Sequence, residues 1–199
     1  MIVIGLTGSI GMGKSTTAGL FSHEGVAVFD SDAVVHQLYE GEAVPLIEEA
    51  FSGTTNEGKV DREKLGEALR RNPANFIRLE QIVHPLVRGK QQEFLEQERT
   101  HGTEFLLLDI PLLFETGAET RVDAVVVVTC ATDIQRQRVL ARPGMNEEKL
   151  RMVLARQMPD EEKRKRADFI IDTGRGIDDA RAQVLAVLVV LRTRRDGKV

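Results

Sequence analysis

At 199 residues, with 42% apolar and 29% charged side chains, the chain has the composition of a folded domain able to bury a sizeable core. Its formal net charge of −4 gives no electrostatic reason to expect nucleic acid or an anionic membrane as a partner. Cys130 is the only cysteine, which excludes an intrachain disulfide and fits a reducing compartment, and no apolar run reaches the ~20 residues that span a bilayer.

The first predicted element is a strand over residues 2–6, an apolar run without polar alternation. The N-terminus has neither a basic stretch nor an apolar core of signal-peptide length, so the expected location is cytoplasmic. Residues 8–15 follow the strand directly and read Gly-Ser-Ile-Gly-Met-Gly-Lys-Ser. This is the G-x-x-x-x-G-K-[ST] pattern of a phosphate-binding loop, in the strand-then-loop setting that such a loop requires. Gly8, Gly11 and Gly13 are expected to let the backbone curl, so that N–H groups from Gly8 through Met12 to Thr16 point at an anion. Lys14 adds a point charge for the β- and γ-phosphates, and the Ser15 hydroxyl suits Mg²⁺. The helix starting here aims its positive end at the same phosphates. A nucleoside triphosphate, ATP·Mg²⁺, is the expected ligand.

Four more apolar runs read as strands, at residues 26–29, 105–108, 124–128 and 169–171. Helical patterns separate them, so the fold class is α/β, a P-loop NTPase fold with a five-stranded parallel sheet buried on both faces. Ligands of such sheets gather beyond the carboxyl ends of the strands. After the second run come Asp30, Ser31 and Asp32, of which Asp30 fits a helix cap or turn. Asp32 is the candidate general base: a carboxylate there could take the proton of an acceptor hydroxyl and orient its oxygen.

The 75 residues between the second and third runs far exceed a simple crossover. They read as an all-helical insertion, the natural place for a second substrate, with helices over residues 44–51, 62–70 and 73–83. Asn72 and Pro73 would open the third of these, and a further helix would follow His84-Pro85. Asp109, ending the third run, fits either a metal-side carboxylate or a helix cap. Cys130 closes the fourth run as a buried structural thiol.

Residues 133–167 read as helical, rich in arginine and broken at Pro143-Gly144. Arg138 and Arg142, four apart, would share a helix face and serve as cations that follow a moving phosphoryl group. The run 184–191 is the buried face of a last helix, and a frayed tail is expected beyond it.

The loop alone leaves the class of protein open. No Asn-Lys-x-Asp motif of a GTPase is present, and the third run ends in Asp109 with no adjacent Glu, unlike translocating ATPases. A small-molecule kinase remains, acting on a small hydroxylated metabolite such as a nucleoside, a nucleotide or shikimate. The competing reading is a regulatory protein that senses ATP, against which Asp32 and the arginine lid argue.

Taken together, Gly5–Ser15 of the loop, Asp30-Ser31-Asp32, His84-Pro85-Leu86, Pro111-Leu112-Leu113-Phe114-Glu115, the Arg138/Arg142 pair, Arg156-Gln157 and the ending Ala167-Asp168-Phe169-Ile170-Ile171-Asp172 resemble the dephospho-CoA kinase family over nearly the whole chain. The resemblance implies transfer of the ATP γ-phosphate to the ribose 3′-hydroxyl of dephospho-CoA, giving CoA and ADP. It implies a single kinase domain over residues 1–199, with a core (about 1–35, 103–132 and 167–199), a helical acceptor-binding insertion (about 36–102) and an arginine-rich lid (about 133–166). Carried over by position, Asp32 is the base, Lys14 and Arg138 stabilise charge, Arg142 contacts the nucleotide and Ser15 binds Mg²⁺. His84, Pro111 and Leu112 shape the acceptor side, and residues after Ile171 lie near adenine. Three positions depart from the family pattern: Ser9 stands for a usual Gly, Thr173 for a frequent Asn, and Pro143 for a usual acidic residue. The expected partner is the small-molecule acceptor, with no nucleic acid and no membrane, and the oligomeric state is left open.

Overall fold

The computed structural model describes residues 1–72 and 74–197. Pro73, expected in the first turn of a helix, and Lys198 and Val199 of the expected tail lie outside the described residues. In chain order the elements begin β1 (Ile2–Thr7), α1 (Lys14–His23), β2 (Ala27–Asp30), α2 (Ser31–Leu38) and α3 (Val44–Ala50). Next come β3 (Thr55–Asn56), β4 (Lys59–Val60), α4 (Arg62–Arg71) and α5 (Ala74–Thr100). The remainder is β5 (Phe105–Asp109), β6 (Ala124–Thr129), α6 (Thr132–Leu140), α7 (Glu147–Leu154), α8 (Asp160–Lys165), β7 (Phe169–Asp172) and α9 (Ile177–Arg195). The chain divides into two compact units, Met1–Phe29 with Glu98–Val199, and Asp30–Gln97.

All five apolar runs form strands, and they make one parallel sheet in the order β2-β5-β1-β6-β7. The register places Gly5 of β1 between Leu108 and Val125, in the middle of the sheet. Alternation along β6 sends Val126 and Val128 to a core shared with α1 and α9. Val125 and Val127 face the other way, against Leu113, Phe114 and Ala118. The three central strands are thus covered on both faces, as expected of a parallel sheet. Edge strand β7 is not: Ile171 packs into the core, whereas Ile170, on the opposite face, is 42% exposed.

α9 buries Ala180, Val184, Val187, Leu188 and Leu191 and leaves Leu185, Val189 and Val190 exposed. It does not fray after residue 191. Arg192 holds Glu104 through two hydrogen bonds of 2.8 and 2.7 Å, and Arg195 pairs with the same carboxylate at 2.9 Å. Arg192 and Arg194 also lie over the rings of Phe105 and Phe169. Cations in the last turn suit the negative end of the helix. No described helix is long and apolar enough to cross a membrane.

The second unit has its own core, built from Leu38, Ile47, Phe51, Val60, Leu65 and Leu69. Two expectations for it need correction. It is not all helical, because β3 and β4 pair as an antiparallel hairpin. The turn residues Glu57 and Gly58 both take positive φ, 48° and 76°, as a two-residue hairpin loop demands. Nor does a new helix begin at His84-Pro85: both lie inside α5, which continues through the proline at the cost of one backbone hydrogen bond. Ile82, Leu86 and Val87 pack on the core from both sides of that proline, which holds the helix together there. Asn72 does cap the entry, its carboxamide oxygen accepting from Ala74 N–H at 3.0 Å.

Candidate active site

Apolar β1 ends at Thr7, whose hydroxyl donates to the Pro111 carbonyl at 3.1 Å, and the chain then turns into the loop. A Cβ on Gly8 would lie 2.3 Å from a Val128 methyl, so close approach to β6, and not the backbone angle expected, demands glycine there. At Gly11 and Gly13 the angle does decide: φ is 80° and 89°, where an L side chain is strained. Gly13 is the N-cap of α1 and supplies no side-chain acceptor, which leaves the first N–H groups of the helix for an anion. Ser15 and Thr16 are exposed at this end.

Lys14 forms an ion pair with Asp109, which ends β5 and is only 2% exposed. The ion pair sets the Asp109 carboxylate against the phosphate loop. One hydroxyl and one carboxylate make a hard-oxygen donor set suited to Mg²⁺, which keeps water and phosphate oxygens as its other ligands. Among the described residues no cluster of three or more His, Cys, Asp or Glu forms a protein-only metal cage.

The arginine segment forms three helices, with the break at 141–146 where Gly144 has φ 74°. Gln135 of α6 is buried and donates to the Ile10 carbonyl at 2.8 Å, and Gln157 accepts from Ile10 N–H at 3.0 Å. Two glutamines thus grip one residue of the phosphate loop. Arg138 donates through both terminal nitrogens to Thr173, to its hydroxyl at 2.9 Å and its carbonyl at 2.8 Å. Arg142 lies just past the end of α6 and not on it, so the pair does not share a helical face; its N–H instead closes a turn on Val139. Both arginines nevertheless line one cavity of about 350 Å³ with Gly11, Gly13, Thr16, Thr17 and Thr173. Ile177 and Ala180 of α9 give that cavity an apolar wall. Arg136 pairs with Glu147, the solvated role open to any single arginine here.

On the other side of the loop, residues 111–115 are fixed by Glu115, which accepts from Met158 N–H at 2.7 Å. Lys163, fully buried, sets its ammonium 2.9 Å from the same carboxylate. Burial alone would raise the Glu115 carboxyl, but the Met158 N–H and the Lys163 ammonium outweigh it and hold it below the usual carboxylate value. Lys163 is therefore a structural cation of this turn. Pro111 is half-buried and Leu112 is 36% exposed at its surface. Cys130 is buried against Met12, whose sulfur accepts from Cys130 N–H at 3.2 Å, and burial pushes the thiol up and keeps it inert.

In the second unit Asp30 is the N-cap of α2, its side chain accepting from Asp32 N–H at 2.9 Å and Ala33 N–H at 3.0 Å. That bond leaves the Asp32 side chain exposed in the first turn. Asp32 lines a cavity of about 430 Å³ with Val35, Tyr39, Arg62, Leu65, Leu69 and Leu79. Arg62, the first residue of α4, donates to His36 Nδ1 and stands 5.7 Å from the centre of the Tyr39 ring. Burial raises the Tyr39 phenol, and the Arg62 charge opposes that rise. His84 is half-buried within α5 and is not among the residues lining this cavity.

A family model for dephospho-CoA kinase matches residues 2–179. The chain belongs to the dephospho-CoA kinase family. The dephospho-CoA kinase of Agrobacterium fabrum is 69% identical over 188 residues, 94% of this chain and 97% of that one. The crystal structure of TT1252 from Thermus thermophilus matches with a TM-score of 0.85 at 33% identity, over 95% of this chain and 96% of that one. The dephospho-CoA kinase from Campylobacter jejuni matches with a TM-score of 0.71 at 29% identity, over 99% and 98% of the two chains.

Several residues at the site of this dephospho-CoA kinase family member escape a reading of the sequence. Gln135 looks like one more polar residue on a charged helix, and only its burial against Ile10 reveals it. Arg62 and Tyr39, 23 positions apart, carry no motif; the hairpin between them was signalled only by Asn56-Glu57-Gly58.

Proposed function

We propose that this chain transfers the γ-phosphoryl group of ATP to the 3′-hydroxyl of the ribose of dephospho-CoA, giving CoA and ADP, the last step of coenzyme A biosynthesis. The observation that carries the reading is the loop of residues 8–16, with Lys14 and Asp109 paired on it and Arg138 and Arg142 beside it in one cavity. The triphosphate lies on the N-terminal end of α1, held by backbone N–H groups and Lys14. Ser15 and Asp109 are the residues that would hold Mg²⁺, which neutralises charge on the phosphate oxygens when bound. Arg138 and Arg142 balance the charge that develops on the transferred group.

The acceptor's ribose belongs at the cavity of Asp32, Tyr39 and Arg62. Asp32 takes the proton of the 3′-hydroxyl and orients its oxygen for in-line attack. Tyr39 offers a flat apolar face and Arg62 a cation, a pairing suited to an adenosine carrying a diphosphate. His84, Pro111 and Leu112 shape the acceptor side; residues 36–102 act as the acceptor-binding insertion and residues 133–166 as a lid that excludes water. The single cysteine and the absence of any apolar bilayer-length run support a cytoplasmic setting.

The test is product identification. Protein incubated with ATP, Mg²⁺ and dephospho-CoA should yield CoA, with phosphorus resonances placing the new phosphate on the 3′-oxygen. Phosphate at another position, or no product, would refute the assignment.

A further inference from the structure

Thr173 lies directly after β7 and is buried at 8% exposure. Its backbone N–H donates to the Thr129 carbonyl at 2.8 Å, which fixes it to the end of β6. Its hydroxyl has one proton and lies 2.8 Å from the Met12 carbonyl and 3.3 Å from the Thr129 carbonyl, so the phosphate loop receives the better bond. The same oxygen accepts from Arg138 Nη1 at 2.9 Å, and the Thr173 carbonyl accepts from Nη2 at 2.8 Å. A Cβ on Gly13 would lie 3.0 Å from this oxygen, so the hydroxyl sits hard against the loop. One buried side chain therefore touches both the loop and the lid arginine, and all of these residues except Met12 and Thr129 line the same cavity.

We propose that Thr173 is a positioning residue for ATP, acting through Arg138. A free arginine side chain has many rotamers, and a ligand that must order it loses affinity. Anchored at both terminal nitrogens, the Arg138 guanidinium is already fixed at the cavity wall. Its remaining N–H groups and its planar face are left for the nucleotide. The hydroxyl is the hinge of this arrangement, because it accepts from the arginine while donating to Met12. The inference rests on reading the loop of residues 8–16 as the ATP site.

The experiment is ATP affinity by calorimetry, without acceptor, for the unsubstituted chain, Thr173→Val, Thr173→Ser, Arg138→Ala and the Thr173→Val/Arg138→Ala double variant. Valine keeps the shape of threonine and removes the hydroxyl; serine keeps it. The expected result is a loss of about tenfold in Thr173→Val, the scale of one lost positioning contact, and no more than about twofold in Thr173→Ser. In the Arg138→Ala background, Thr173→Val should cost less than about twofold, since the arginine it positions is gone. An equal loss in both backgrounds would overturn the proposal, because the hydroxyl would then act through the loop alone. Unchanged affinity in Thr173→Val would overturn it too, while leaving the ATP site intact. No ATP binding by the unsubstituted chain would bring down the ATP reading and this proposal with it.

Discussion

The two candidate sites on this chain are built in opposite ways. Around the phosphate loop, nine consecutive residues, 8–16, form the proposed triphosphate site and the rest of the unit holds them still. Gln135 and Gln157 grip Ile10, Thr173 takes the Met12 carbonyl, Asp109 takes Lys14, and Val128 closes on Gly8. The Asp32 cavity is assembled from α2, α4 and α5, with an apolar floor and two exposed charged residues, Asp32 and Arg62, at its mouth. On the proposed reading, the contrast follows from the task. A triphosphate needs fixed N–H groups at set distances and gains from preorganisation. An acceptor must be admitted and released, which a cavity of side chains does more easily than a rigid loop.

The largest effect should come from the rigid side. Lys14→Ala removes the proposed phosphate cation together with the ion pair it makes with buried Asp109, so kcat/KM for ATP should fall by about a thousandfold and the folded state should weaken. Steady-state kinetics with a urea titration reads both; a variant within tenfold of normal would mean that Lys14 serves Asp109 and not the nucleotide. On the other side, Asp32→Asn should lower kcat by roughly 100-fold, the scale of a lost general base, with ATP affinity nearly unchanged. If KM for ATP moved instead, Asp32 would belong to the nucleotide half of the comparison.

A smaller effect tests how the rigid side is braced. Glu115→Gln leaves Lys163 buried without its counter-ion, and should cost about 2 kcal/mol at neutral pH, less than a fully buried pair. Because the Glu115 carboxyl is held below its ordinary value, its contribution is complete above that value and is lost as pH falls through the lowered one. Urea midpoints at pH 7, 5, 4 and 3 should therefore converge for the two proteins at the acid end; parallel lines would show that the ion pair contributes nothing. The smallest effect belongs to the open cavity: Arg62→Ala should raise KM for dephospho-CoA about tenfold and leave KM for ATP alone. Equal changes in both would remove Arg62 from the acceptor site.

The same contrast explains what was legible before the fold was known. The loop is local, its spacing dictated by backbone geometry, so residues 8–15 announce it without help from the rest of the chain. The five strands were legible because apolar runs buried in a parallel sheet have few other readings. The bracing roles were not: nothing marks Gln135, and Gln157 and Thr173 stood out only against a family pattern, since all three act across 35 to 161 positions of sequence. Helix ends were misplaced where tertiary contacts override local signals. Pro85 reads as a start yet lies inside α5, and the tail reads as frayed yet is held by Glu104. Tyr39 and Arg62 meet only through the fold of the second unit.

The most direct test of the division of labour is ADP release from ATP·Mg²⁺ with and without dephospho-CoA, run beside Asp32→Asn. Strong stimulation by dephospho-CoA, lost in the variant while ATP still binds, is the predicted result. Stimulation that survives in Asp32→Asn, or none in the unsubstituted chain, would contradict it.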